Sequence, residues 1–201
     1  MTDPSIAAEK AALRRIARAR RAALDPAGAG AAAAAALDDP RLASMVAPGA
    51  AVAAYWPIGA EFDSRKLIER LLAAGVRVGL PVADGPGRPL RFRRHERGGA
   101  LVPAGHGTLA PPAAAAELVP QTVLTPLLAA DSRGFRLGYG GGYYDRTLAA
   151  LRAAGPCLAI GLCYRAQIVA RVPAEAGDQR LDWLLTEAGL VRCNGNGAEA
   201  R

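Results

Sequence analysis

The sequence predicts an α/β domain on a parallel sheet, and three observations carry that expectation. A short apolar run, AVAAY at 51–55, is followed by an amphipathic helical stretch and a second apolar run, VRVGL at 76–80. Together they make a β-α-β unit of about 30 residues. Two further apolar runs, TVLTPLL at 122–128 and CLAIGL at 157–162, flank another helical stretch in the same alternation. The chain, 201 residues long, has room for one such domain of ordinary size or at most two small ones, with an interior large enough to fold without staples.

Residues 5–24 read as a helix with Ile6, Leu13, Ile16 and Leu24 toward one side. Lys10, Arg14, Arg18 and Arg21, at i, i+4, i+8 and i+11, form a basic stripe on another. A turn at Asp25 and Pro26 leads into a second helix over 26–42, which contains a six-alanine run. The strand at 51–55 is closed by Trp56 and Pro57, and Asp63 or Ser64 caps the helix RKLIERLLAAG that ends at Gly75. The strand at 76–80 stops at Pro81. LRFRRH at 90–95 alternates apolar and basic residues, as a strand near a sheet edge does, and opens into a Gly-, Pro- and Ala-rich loop region reaching Pro120. After the strand at 122–128, a Gly-rich loop opens a helix over 143–154, and the strand at 157–162 follows. Residues 193–201 read as a polar, disordered tail, which leaves 1–192 as a single domain with no repeat or interior linker.

Composition removes several classes of function. At 51% hydrophobic and 21% charged residues the chain is globular, and no window approaches 18 strongly apolar residues without charge, so no membrane span is expected. The start has no apolar core of the secretory type, and Asp3 and Glu9 weaken a mitochondrial presequence, so a cytoplasmic location is expected. Three cysteines without a C-x-x-C pair argue against a disulfide framework and a thiolate zinc site. Two histidines are too few for a His-rich metal centre, so a metal here needs oxygen ligands. Residues 1–24 carry six basic against two acidic side chains, +4 of the total +7, with no aromatic among them. That pattern argues against nucleic-acid binding, where stacking aromatics interleave a basic face. The stripe is either a solvated helix face or a surface turned toward a polyanion such as a nucleotide triphosphate.

The segment Gly138-Tyr139-Gly140-Gly141-Gly142 lies between a buried strand and a helix, where glycines can turn backbone N–H groups inward and the helix N-terminus adds positive potential. It is an anion cradle or a structural turn, and it matches neither the P-loop nor the dinucleotide fingerprint. Arg136 enters the loop and can clamp a phosphate at two points. Asp145, in the first helical turn, suits either a divalent cation or the helix dipole. Tyr139, Tyr143 and Tyr144, with Phe135 and Tyr164 nearby, are half of the chain's ten aromatics and suit a flat ring beside the cradle. Trp56 and Glu61 follow a strand end and can face the same crevice, or be a core Trp and an exposed Glu. Glu175, Asp178 and Asp182 form a late acidic cluster, another source of oxygen ligands or a solvated face. With no G-x-S-x-G, no recognisable triad setting for either histidine and no cysteine beside an obvious base, the residues point to phosphate chemistry or simple binding.

The stretch Arg136-Leu137-Gly138-Tyr139-Gly140-Gly141-Gly142-Tyr143-Tyr144-Asp145-Arg146, preceded by Pro126, Asp131 and Gly134, resembles the signature of the 5-formyltetrahydrofolate cyclo-ligases, also called methenyltetrahydrofolate synthetases. The likeness extends to Lys10-x-x-x-Arg14, Glu61-x-Asp63-Ser64, the strand end at Pro81, Gln167, and the closing Pro173, Asp178, Asp182 and Thr186-Glu187. It implies a three-layer α/β/α sandwich with a largely parallel sheet (NagB/RpiA/CoA transferase-like), with N-terminal helices packed on it. It also implies an ATP- and Mg2+-dependent closure of 5-formyltetrahydrofolate to 5,10-methenyltetrahydrofolate, and a monomer with no nucleic-acid or membrane partner is expected.

Under that resemblance Lys10, Arg136 and Tyr143 are the catalytic residues. Lys10, Arg14 and the loop from Arg136 through Leu137, Gly138, Tyr139, Gly140, Gly141, Gly142 and Tyr143 to Tyr144 hold ATP. Trp56, Glu61 and the 140–144 stretch meet the folate, and Asp145 with Asp178 binds magnesium. The chain departs from the family pattern at Gly177, where members often carry His, and at Ala110 before Pro111, where many carry Glu. A non-catalytic folate- or nucleotide-binding homologue is the alternative those departures allow.

Overall fold

A computed structural model describes residues 5–105 and 107–194. Helix α1 (Ile6–Ala22) starts at Ser5, whose hydroxyl accepts the Ala8 N–H. The single helix expected over 26–42 is instead two, α2 (Pro26–Ala35) and α3 (Pro40–Met45), joined by a 3-10 turn at Ala36–Asp38. The break has a local cause. Asp39 precedes a proline and is held extended at φ −71° and ψ 118°. Pro40 has no N–H with which to continue the first helix, and the Asp39 carboxylate accepts the Arg41 N–H to cap the second.

The remaining elements are β1 (Ala51–Ala53), α4 (Arg65–Ala73), β2 (Arg77–Ala83), β3 (Leu90–His95), β4 (Val102–Pro103), β5 (Leu109–Ala110), β6 (Thr122–Pro126), β7 (Ala129–Ala130), β8 (Arg136–Leu137), α5 (Tyr143–Ala154), β9 (Leu158–Leu162), β10 (Trp183–Thr186) and β11 (Gly189–Arg192). Seven strands form the main sheet in the order β11-β10-β9-β6-β1-β2-β3. The five central strands are parallel, and β3 and β11 close the two edges in antiparallel fashion. The chain leaves β1 toward β2 on one side and later crosses to β6 on the other, so the strand order reverses between β1 and β6.

Alternation along each strand sorts the core into two faces. Val52, Leu124, Ile160 and Leu185 face α2, α3 and α4 through Ala33, Leu42, Leu67, Ile68 and Leu71. Their neighbours Ala53, Val123, Ala159 and Leu184 face the other way, where α5 contributes Leu148. The fold is therefore the expected three-layer α/β sandwich. Helix α1 differs from α2 and α3 in what it covers. Its Ala17 is buried with Leu128, Ala129, Leu137 and Val172, against the small β7–β8 hairpin beyond the end of β6.

Further boundaries move. The strand at 76–80 continues through Pro81 to Ala83, because β1 pairs with β2 only as far as Gly79 and the missing Pro81 N–H removes no bond on that side. The run at 122–128 ends as a ladder at Pro126. The Leu127 and Leu128 carbonyls that follow both accept hydrogen bonds from the buried Gln167 side chain, which replaces the ladder. The β10–β11 hairpin was not foreseen, although WLLT and GLVR flank a two-residue connection. Cys193 and Asn194, the first residues of the expected tail, donate backbone hydrogen bonds to Asp182 and Ser132, and 195–201 lie outside the described residues. Among the described residues no helix is long and apolar enough to cross a membrane.

Candidate active site

A cavity of about 460 Å³ opens where the strand order reverses, at the C-terminal ends of the central strands. Tyr55 and Trp56, just after β1, Pro81 and Ala83, at the end of β2, and Pro126, the last residue of β6, form its floor and wall. Helix α1 crosses one side with Lys10 and Arg14, and the Gly loop from Arg136 to Asp145 crosses another. The residues expected to meet ATP, folate or magnesium all line this space: Lys10, Arg14, Trp56, Glu61, the whole stretch from Arg136 to Asp145, and Asp178.

The Gly loop takes its shape from backbone conformations that only glycine adopts at little cost. Gly140 has φ +107° and Gly142 φ +64°, and Gly142 is the N-cap of α5. A Cβ on Gly142 would lie 2.7 Å from the Arg146 guanidinium. Arg146 donates to the Gly141 carbonyl and lies over the Tyr143 ring, 5.4 Å from its centre. Arg14 supports the loop from below by donating Nε–H to the Gly138 carbonyl at 3.0 Å.

The basic stripe on α1 faces this loop. Lys10 is nearly buried and donates to Asp178 Oδ2 at 2.7 Å, with Glu175 at 3.6 Å. Arg18 and Arg21 both lie over the Tyr139 ring, at 5.5 and 5.4 Å from its centre. Arg21 is itself buried, and it donates to the Tyr139 hydroxyl and to the Leu127 carbonyl. Lys10, Arg14 and Arg21 of the stripe are thus engaged inward, while Arg18 stays exposed over the Tyr139 ring.

Arg136 is the most enclosed cation of the site, its side chain 4% exposed. It donates to Asp145 Oδ1 at 2.9 Å and to the Gln179 carbonyl. Burial pushes its pKa down and Asp145 pushes it back up, but a guanidinium keeps its proton under any such balance. Asp145 Oδ1 also accepts the Gln179 N–H, and Asp178 Oδ2 accepts the Glu175 N–H. Glu61 is buried, and its Oε2 accepts the Ile58 N–H at 2.9 Å. Burial raises the Glu61 pKa above the ordinary carboxylate value, while the Ile58 N–H, the Tyr139 hydroxyl and Arg21 pull it down. Burial also raises the Tyr139 and Tyr144 hydroxyls, so both stay protonated donors at neutral pH.

The aspartates of the signature stretch and of the late acidic cluster have different surroundings. Asp131 is fully buried and its oxygens accept from the backbone of Arg133, Phe135 and Val172 and from the Arg133 side chain, so it organises the turn ahead of β8. Asp182 accepts from Arg152 and the Ala159 N–H away from the cavity. Asp145 and Asp178 remain, and the hydrogen bonds described above use only one oxygen of each. Among the described residues no group of three His, Cys, Asp or Glu is arranged to enclose a metal ion. Two carboxylates with an oxygen each to spare are donors of the kind that a hard divalent cation takes when phosphate oxygens and water complete its shell.

Two contributors escaped sequence reasoning. Tyr55 donates its hydroxyl to the Phe62 carbonyl at 2.7 Å and its own carbonyl accepts from Ser64, which pins the turn that carries Trp56 and Glu61. Ala104 and Thr108, from the β4–β5 hairpin, close the far side. Neither carries a signal in the sequence, since a Tyr at a strand end and small residues in a loop are common everywhere.

Comparison with known proteins places the chain. Residues 6–187 match the model of the 5-formyltetrahydrofolate cyclo-ligase family. The chain belongs to that family. It is 38% identical over 158 residues to the 5-formyltetrahydrofolate cyclo-ligase of Mycolicibacterium smegmatis, covering 75% of this chain and 80% of that one. The Escherichia coli cyclo-ligase is 33% identical over 141 residues, 67% of this chain and 76% of its own. Among solved structures, the Aquifex aeolicus 5,10-methenyltetrahydrofolate synthetase superposes with a TM-score of 0.74 at 26% identity, covering 95% of this chain and 96% of the other. This cyclo-ligase family member is accordingly an enzyme of the ligase class, and its α/β architecture is that of its structural relatives.

Proposed function

We propose that the enzyme closes 5-formyltetrahydrofolate to 5,10-methenyltetrahydrofolate, with ATP converted to ADP and phosphate. The observation that supports this most is the convergence on one cavity of the α1 bases, the Gly loop at the α5 N-terminus and the aromatic, carboxylate-bearing wall of Trp56 and Glu61. The formyl oxygen is amide-like and a poor leaving group. Its attack on the γ-phosphoryl group releases ADP and turns it into phosphate. N10 then attacks the activated carbon, loses its proton and displaces phosphate to close the ring.

Phosphoryl transfer of this kind rests on positioning and charge stabilisation more than on covalent help from the protein. Lys10, Arg14, Arg136 and the loop N–H groups hold the triphosphate, with Tyr143 closing over the reacting atoms. Trp56 and Glu61 take the folate ring, and Tyr144 lies beside them. Asp145 and Asp178 would hold magnesium, which offsets phosphate charge. The departure at Gly177 leaves Asp178 supported by Lys10 and the Glu175 N–H, and a Cβ there would meet open space. Ala110 is buried in β5.

Purified protein with 5-formyltetrahydrofolate and magnesium is expected to develop the near-ultraviolet band of methenyltetrahydrofolate only when ATP is added. Folate binding with no band would make this a binding protein on an enzyme's scaffold.

A further inference from the structure

Arg21 is a buried charge that the reaction outlined above leaves without a role. It lies 11 residues beyond Lys10 on α1, 6% exposed, and its guanidinium covers the Tyr139 ring while donating to the Tyr139 hydroxyl. A second donor reaches the Leu127 carbonyl at 3.4 Å, where the chain leaves β6. Tyr139 and Glu61, on the turn after β1, line the same cavity, and the Tyr139 hydroxyl and the Arg21 charge both favour the ionised Glu61 carboxylate. One guanidinium thus fastens together α1, the end of β6 and the Gly loop, in a cavity wall shared with the carboxylate expected to meet the folate. A solvated arginine would do none of this, and burying one is costly unless its donors are used.

We infer that Arg21 is a positioning residue for the reaction, which holds Tyr139 in the cavity wall it shares with Glu61 and so ties the folate end of the cavity to the helix that carries Lys10 and Arg14. The inference rests on the cyclo-ligase reading and deepens it. It distinguishes Arg21 from Arg18, which lies over the same ring but is solvent-exposed. It also accounts for Tyr139, whose ring lies under two α1 cations, one of which also donates to its hydroxyl. The groups that act on Glu61 are the Ile58 N–H, the Tyr139 hydroxyl and the Arg21 cation, and Glu61 in turn raises Tyr55, Tyr139 and Tyr144. Arg21 is the charged member of that set, so removing it moves the ionisation of Glu61 upward.

The test is a double-mutant cycle on the full chain, with Arg21→Gln, Tyr139→Phe and the double variant. Each is read by the equilibrium Kd for 5-formyltetrahydrofolate, by KM for ATP, and by thermal unfolding. Loss of a charge-assisted hydrogen bond predicts about a tenfold rise in the folate Kd for either single variant, with KM for ATP moving by less than about threefold. The double variant is expected to be no worse than the singles, because one linkage is lost in all three. Arg21→Lys, which keeps the charge and one donor, should recover part of the loss, and the folate Kd of Arg21→Gln should begin to rise at higher pH than that of the unaltered protein. Independent, multiplying effects in the cycle would overturn the inference, as would a fall in melting temperature with folate Kd unchanged. If the unaltered protein binds 5-formyltetrahydrofolate without forming product, the catalytic reading fails while the Kd cycle still decides the role of Arg21. If it binds no folate at all, both fall.

Discussion

Helix α1 and strand β3 are the two arginine-rich elements of the chain, and they use the same residue type in opposite ways. On β3, Arg91 is held by Asp84 and Glu117 and Arg94 by Glu96, all at the surface, with the Arg91 side chain 47% exposed. On α1, Lys10 is 12% exposed and paired to a cavity carboxylate, Arg14 supports the Gly loop, and Arg21 is buried against Tyr139. Exposed pairs exchange water for a screened partner and gain little, whereas groups at the mouth of a low-dielectric cavity interact strongly with whatever charge enters it. The lesson is that basic composition predicts use only when it is known which surface the element turns inward.

The comparison can be broken most severely from the cavity side. Arg136→Ala removes the most enclosed cation of the site and should lower the rate of methenyltetrahydrofolate formation on the order of a hundredfold or more, followed by steady-state absorbance. Near-normal turnover would remove the loop from the mechanism. Lys10→Met is expected to raise KM for ATP about tenfold, with a smaller change in KM for the folate, since one charge-assisted contact to phosphate is lost.

Glu61 sharpens the contrast through pH. Its pKa is raised in the folded state, chiefly by burial, so the folded protein binds a proton more tightly than the unfolded chain does. The associated stability is full below the unfolded value of about 4.5 and is lost as pH rises through the folded one. Glu61→Gln should therefore flatten the fall in melting temperature across that window and leave the protein more stable at neutral pH, while weakening folate binding. An unchanged slope would place the titration elsewhere. The smallest effect belongs to β3. Arg91→Gln should leave kinetics unaltered and melting temperature within measurement error, and a clear loss of activity would show that β3 takes part in the site.

Much of this site was legible because its parts are local. The Gly loop, its flanking Arg136 and Asp145, and the spacing that aligns Lys10 with Arg14 are consecutive or helically periodic, and the loop's conformation follows from glycine's freedom at Gly140 and Gly142. What was hidden depends on partners far along the chain. Asp131, Asp145, Asp178 and Asp182 are equivalent as carboxylates, and only their donors separate two structural groups from two that face the cavity. The β10–β11 hairpin was missed because its strands have no more than four residues each, too few for periodicity to register.

The sequence by itself determined the alternation of strands and helices, the parallel sheet and the phosphate-suited loop, since these arise from apolar spacing, capping and backbone sterics within a few residues. Only the tertiary structure decided that α1 turns Lys10, Arg14 and Arg21 inward, that Arg21 reaches Tyr139, and that of the four aspartates it is Asp145 and Asp178 that line the cavity. Those assignments depend on contacts between segments more than 100 residues apart, such as Arg21 with Tyr139 and Lys10 with Asp178, and on the burial that gives each contact its strength.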